Sequence, residues 1–134
     1  MTTHSILVVD DDPGVLEAIR QSLEPSGYAV FVAADGKEAI RFLSRETVDL
    51  VITDVLMPDM DGFELIKVLH RDYPAVRVVA MTGGGQLSAD TYLRMAQGFR
   101  VDWLLKKPFA RDELLMAIKA VEIRSSIPAP PCAA

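Results

Sequence analysis

Three consecutive acids, Asp10, Asp11 and Asp12, follow the apolar run Ser5 to Val9, and a further acid, Asp54, follows the run Leu50 to Thr53. Two other apolar runs end in polar groups: Val76 to Met81 leads into Thr82, and Trp103 to Leu105 leads into Lys106, Lys107 and Pro108. Carboxylates crowded into one place repel each other and raise their own pKa values unless a cation neutralises them. Hard oxygen donors of this kind favour magnesium, which keeps several waters and leaves positions for phosphate oxygens. The set therefore suits phosphoryl chemistry. Lys107 would bring positive charge to one phosphate oxygen, the Thr82 hydroxyl would donate to another, and the nucleophile would be a carboxylate.

These residues meet only if the apolar runs are neighbouring strands that end on the same side of a sheet. The run Ser5 to Val9 is short and β-branched, as expected of a strand buried on both faces. Pro13 suits a first helical turn, and Val15, Leu16, Ile19 and Leu23 repeat at helical spacing until Pro25 and Gly27. Tyr28 to Ala33, Leu50 to Thr53, Val76 to Met81 and Trp103 to Leu105 read as further strands. Lys37 to Arg45, Phe63 to Arg71, Ser88 to Gln97 and Arg111 to Arg124 read as the helices between and after them. Five β/α repeats predict an α/β domain, a doubly wound five-stranded parallel sheet with helices on both faces. Ligands of such sheets bind beyond the carboxyl ends of the strands, where Asp10, Asp11, Asp54, Thr82 and Lys107 all fall.

The motifs Leu7-Val8-Val9-Asp10-Asp11-Asp12-Pro13, Thr53-Asp54-Val55-Leu56-Met57-Pro58-Asp59-Met60-Asp61-Gly62, Thr82 and Lys107-Pro108-Phe109 resemble the receiver domain of bacterial two-component response regulators. Each is weak alone, but they come in the right order and at the ends of the right strands. The resemblance implies a flavodoxin-like (βα)5 fold of strand order 2-1-3-4-5, a receiver domain over residues 4–124 and a disordered Pro/Ala-rich tail over 125–134. It makes Asp54 the phospho-acceptor. Asp11 becomes a direct Mg2+ ligand, Asp10 an acid acting mostly through water, and the backbone carbonyl of Leu56 a third metal ligand beside Asp54. Thr82 and Lys107 would contact the phosphoryl group. The implied partners are a sensor histidine kinase or histidine phosphotransfer protein, which would supply the phosphoryl group from a phosphohistidine, and an unidentified downstream protein. Aspartyl phosphate formation would shift the surface made by the fourth helix, the fifth strand and the last helix; homodimerisation of the phosphorylated form stays open. The chain would catalyse only its own phosphorylation and dephosphorylation.

Two features depart from the family pattern. Leu104 stands where the family usually has Tyr or Phe, and Trp103, one place earlier, belongs by strand alternation to the opposite face. Gly83-Gly84-Gly85 follows Thr82 where bulkier residues are usual, so a mobile loop is expected there. Leu56 would hinder the water that hydrolyses the phosphoryl group. Plainer roles suffice for other polar residues: Asp12 at a helix start, Asp59 and Asp61 in a turn with Gly62, Lys106 in solvent, and His4 and His70 at the surface without metal-ligand spacing.

Composition narrows the alternatives. At 134 residues, half of them hydrophobic and a quarter charged, the chain fits one compact domain, and a net charge of -5 argues against a general nucleic-acid surface. No apolar run approaches the roughly 20 residues needed to span a bilayer. With no signal-like start at Met1 to Ser5, a cytoplasmic location is expected, and the single Cys132 fits a reducing compartment. The main alternative is an interaction module that keeps the fold and is never phosphorylated. A magnesium-dependent phosphohydrolase would place a second acid two residues past its nucleophile, where Leu56 stands, and no nucleotide-binding glycine motif occurs.

Overall fold

The computed structural model describes residues 3–55, 62–82 and 101–126. Five strands, β1 (Ser5–Val9), β2 (Ala29–Ala33), β3 (Leu50–Asp54), β4 (Arg77–Thr82) and β5 (Trp103–Lys106), form one sheet. Every pairing is parallel, in the order β2-β1-β3-β4-β5. This is the doubly wound arrangement expected from the alternation of elements. Among the described helices are α1 (Pro13–Leu23), α2 (Gly36–Leu43), α3 (Gly62–Asp72) and a C-terminal helix, Arg111–Ser126. The expected helix at Ser88 to Gln97 and the Gly83 to Gly85 loop lie outside the described residues, as do Leu56 and the tail beyond Ser126.

The two sheet faces bury separate cores. Ile6, Val8, Leu50, Ile52, Val79, Met81 and Leu105 point toward Leu16, Ile19 and Leu23 of α1 and toward Leu114, Ala117, Ile118 and Val121 of the C-terminal helix. The alternate residues Leu7, Val9, Val51, Val78 and Ala80 face Ala39 and Leu43 of α2 and Leu65, Ile66 and Leu69 of α3. Burial on both sides explains why these strands read as unbroken apolar runs. Trp103 packs against the first core and Leu104 against the second, so the aromatic ring does lie on the face opposite Leu104.

Local signals set the element ends. Asp12 caps α1 by accepting from the Gly14 N–H at 2.8 Å, and Pro13 occupies the first turn. A 3-10 turn at Glu24–Ser26 ends at Gly27, whose φ of 98° is left-handed and turns the chain into β2. Asp35 caps α2 through the Glu38 N–H at 2.8 Å. The C-terminal helix runs two residues past the expected end at Arg124.

At the amino edge of the sheet the strands present unpaired N–H groups, and two acids serve them. Asp49 Oδ2 accepts from the His4 and Ser5 N–H groups at 2.8 and 3.1 Å, tying β1 to the start of β3. Asp102 Oδ2 accepts from the Val78 N–H at 2.8 Å and faces the Arg77 guanidinium, tying β4 to the start of β5. Burial alone would raise the Asp49 carboxyl, but the donors of His4 and Ser5 outweigh it and hold it below the ordinary 3.8. Its stabilisation is therefore complete above the unfolded pKa and lost as pH falls through the folded one. Because the group is part-exposed, Asp49→Ala is expected to cost about 1 kcal/mol in urea unfolding at pH 7. The gap between the two proteins should close as pH falls through the lowered Asp49 pKa; a gap independent of pH would refute this account.

Candidate functional site

Strand β1 ends at Val9, and the Asp10 N–H makes one more bond across the sheet, to the Ala33 carbonyl at 3.1 Å. That bond sets the Asp10 carboxylate at the carboxyl edge, where it is fully buried. Its Oδ1 accepts from the Asp12 N–H at 2.9 Å and its Oδ2 from Lys107 Nζ at 2.6 Å, so both oxygens are engaged. Asp54 is the last residue of β3, almost fully buried, and its Oδ2 accepts from the same Nζ at 3.1 Å. Asp11 is exposed on the turn into α1. Carboxylate oxygens of Asp10, Asp11 and Asp54 all lie within 4.8 Å of one another.

Lys107 comes from the far side of the sheet. Its backbone N–H donates to the Thr82 carbonyl at 2.8 Å, adding a rung to the β4–β5 ladder, and its side chain reaches the β1 and β3 acids. The alkyl stem borders an apolar hollow of about 250 Å³ lined by Val15, Ile19, Phe109 and Leu114. Gly14 fits the tight entry to α1, since a Cβ there would meet Asp12 Oδ1 at 3.2 Å. Thr82 is buried, with its hydroxyl turned to the Leu105 carbonyl at 3.5 Å. One feature the sequence did not single out is the Thr53 hydroxyl, which is buried and donates to the Asp54 carbonyl at 3.0 Å.

The electrostatics favour an added cation. Burial pushes the Asp10 carboxyl up, against the opposing pull of the Lys107 and Asp12 hydrogen bonds. Burial would likewise lower Lys107, but its bond to Asp10 and the charges of Asp54 and Asp10 outweigh that, and its pKa is raised. The ammonium therefore stays charged at neutral pH. Three carboxylates against one ammonium leave two formal negative charges, and the donors are all hard oxygens. That donor set fits a divalent cation such as Mg2+.

Comparison with known proteins bears on this geometry. The family described as Response regulator receiver domain matches residues 6–119. The chain is 40% identical over 113 residues to the transcriptional regulatory protein GlrR of Escherichia coli (strain K12), covering 84% of this chain and 25% of that protein. It is 35% identical over 125 residues to the alkaline phosphatase synthesis transcriptional regulatory protein PhoP of Bacillus subtilis (strain 168), covering 93% of this chain and 51% of that protein. The chain thus spans a quarter to about half of the length of these curated relatives. Among solved structures, the chemotaxis response regulator CheY4 of Vibrio cholerae superposes with a TM-score of 0.80 at 29% identity, over 90% of this chain and 99% of that one. The signal receiver domain of an HD domain-containing protein from Pseudomonas fluorescens Pf-5 gives 0.81 at 30% identity, over 93% and 99%.

With Lys107 bonded to two of the three acids, a divalent cation drawn to this cluster would compete with its ammonium. Lys107→Met keeps the stem and removes the charge, so it is expected to tighten Mg2+ binding by about three- to ten-fold in calorimetric titration. Unchanged or weaker binding would rule out this competition.

Proposed function

This chain belongs to the response regulator receiver domain family, and from that premise we propose that Asp54 is the residue that takes the phosphoryl group, with Lys107 and Thr82 as its contacts. A phospho-accepting role in two-component signalling comes with the family. The observation that carries the assignment to Asp54 is the Lys107 ammonium held between Asp10 and Asp54 at 2.6 and 3.1 Å, beside a third acid. Mg2+ would be held by Asp10, Asp11, Asp54 and the Leu56 carbonyl. Because both Asp10 oxygens already accept hydrogen bonds, Asp10 suits contact through water, and the exposed Asp11 suits direct ligation. When bound, the cation supplies charge that offsets the acids and the incoming phosphoryl oxygens.

The remaining chemistry falls to the protein's own side chains. An Asp54 carboxylate oxygen attacks the phosphorus of a phosphohistidine on a kinase or phosphotransfer partner. The P–N bond breaks, the imidazole keeps the electron pair, and an aspartyl phosphate forms. Lys107, already hydrogen-bonded to Asp54, follows the negative charge onto the phosphoryl oxygens. Water later attacks the phosphorus, returning the carboxylate and inorganic phosphate. The Thr82 hydroxyl, whose bond to Leu105 O at 3.5 Å is at the limit of the interaction, exchanges that carbonyl for a phosphoryl oxygen. That exchange shifts the population of the β4–β5 surface toward the form that meets the downstream partner. The names of GlrR and PhoP point to transcription, and control of transcription is the output we propose for a longer protein containing this domain.

Incubation with acetyl phosphate and Mg2+ is expected to add one phosphoryl group by intact mass, with no gain in Asp54→Ala or after chelation of the metal. No gain in folded wild-type protein that binds Mg2+ would overturn the phospho-acceptor reading in favour of a non-phosphorylated interaction module.

A further inference from the structure

We propose that Thr53 is a positioning residue for Asp54, acting through the main chain rather than by touching the phosphoryl group. Thr53 is fully buried, in phase with Val51 and Val55, which face α2 and α3. The Asp54 side chain, one residue on, projects to the other side and meets Lys107. The two side chains therefore belong to different faces, and any influence of Thr53 on the acid must pass through the backbone.

The sheet shows why such help is needed. The β1–β3 ladder ends at the pair Val9 and Thr53; the Asp10 N–H faces β2, where it meets the Ala33 carbonyl, and the chain bends toward α1 at Asp11. The Asp54 carbonyl thus lies beyond the last rung on the β1 side. The Thr53 hydroxyl donates to it at 3.0 Å. On the β4 side the next N–H, that of Val55, donates to the Met81 carbonyl at 3.0 Å. The peptide following Asp54 is held at both its oxygen and its nitrogen, which fixes the direction in which the acid leaves the strand.

The residue type supports this reading. A buried hydroxyl costs free energy unless bonded, and valine would fill the same volume with better strand propensity. A site that only needed filling is better served by valine. The hydroxyl supplies a donor to the carbonyl just past the end of the β1–β3 ladder.

The proposal rests on Asp54 as phospho-acceptor, and its test separates the two. Thr53→Val keeps the volume and removes the donor; Thr53→Ser keeps the donor and removes a methyl. Phosphoryl uptake from acetyl phosphate at saturating Mg2+ is expected to fall about three- to ten-fold in Thr53→Val, with a matching rise in the Mg2+ dissociation constant measured calorimetrically. Thr53→Ser should stay within about two-fold of wild type in both, even if its melting temperature drops. Wild-type values in Thr53→Val, or equal losses in both variants, would overturn the proposal. Thr53→Ala, which also lacks the donor, takes the place of the valine variant if that does not fold. Should wild-type protein take no phosphoryl group, the Asp54 assignment fails, and the Mg2+ titrations of the variants still decide the role of Thr53.

Discussion

The contact on which the site depends is the hydrogen-bonded ion pairing of one ammonium, Lys107, with two acids from different strands, Asp10 and Asp54. Neither acid could remain buried and ionised beside the other without a counter-charge. Sequence neighbours do not supply it; the cation comes from one residue, 97 positions from Asp10 and 53 from Asp54. The sheet order explains how. Strands β1 and β3 are adjacent, so their terminal acids crowd, while β5 stands beyond β4 and is continued past its end by the Lys107 N–H bond to Thr82. A flexible four-carbon stem then carries the charge back over β4. Lysine suits this arrangement because its point charge can leave one oxygen for another as the charge in the pocket is redistributed, where an arginine fork would hold a fixed geometry.

Alternation along the strands divides labour between the two faces. Asp54 continues the phase of Leu50 and Ile52, and Lys107 that of Leu105, toward α1 and the C-terminal helix. Thr53 and Thr82 share the phase of Val51 and of Val78 and Ala80, toward α2 and α3. The charged cluster and the Thr53 hydroxyl are therefore on opposite faces of the sheet, although Thr53 and Asp54 are neighbours in sequence. Each hydroxyl holds a main-chain carbonyl, Asp54 for Thr53 and Leu105 for Thr82. A change in charge at Asp54 can reach the opposite face through its own carbonyl, which the Thr53 hydroxyl holds.

Much of this was legible in the sequence because parallel strands covered on both faces must be apolar throughout, so each run and the polar residue ending it stand out. Strand starts and ends agree within a residue or two for Ser5–Val9, Leu50–Asp54 and Trp103–Lys106. The opposed directions of Trp103 and Leu104 followed from a period of two. Less accessible was the sharing of Lys107 between two acids, which depends on side-chain reach rather than spacing. The Thr53 hydroxyl was hidden for another reason: threonine is an ordinary strand residue, and its donor stands out only once the end of the β1–β3 ladder at Val9 and Thr53 is known. Asp49 was also passed over, although a lone acid just before the apolar run Leu50 to Thr53 is a signal of its own.

Asp49 and Asp10 show that the same side chain has opposite consequences at the two edges of a parallel sheet. At the amino edge the strands end in unpaired N–H groups, so an acid there finds donors: Asp49 serves His4 and Ser5, and Asp102 serves Val78. Those acids tie strand to strand through main-chain donors, and Asp102 also faces the Arg77 guanidinium. At the carboxyl edge the strands end in carbonyls, which offer an acid nothing to accept from. Asp10 obtains one N–H, from Asp12 in the following turn, and must find the rest of its compensation in Lys107. Asp11 and Asp54 add charge to an edge already rich in carbonyl oxygens. The polarity of the strands alone thus makes one edge a floor of satisfied hydrogen bonds and the other a rim that attracts cations. The phosphoryl chemistry proposed for Asp54 would use that rim, where the acids are held from below and left short of positive charge above.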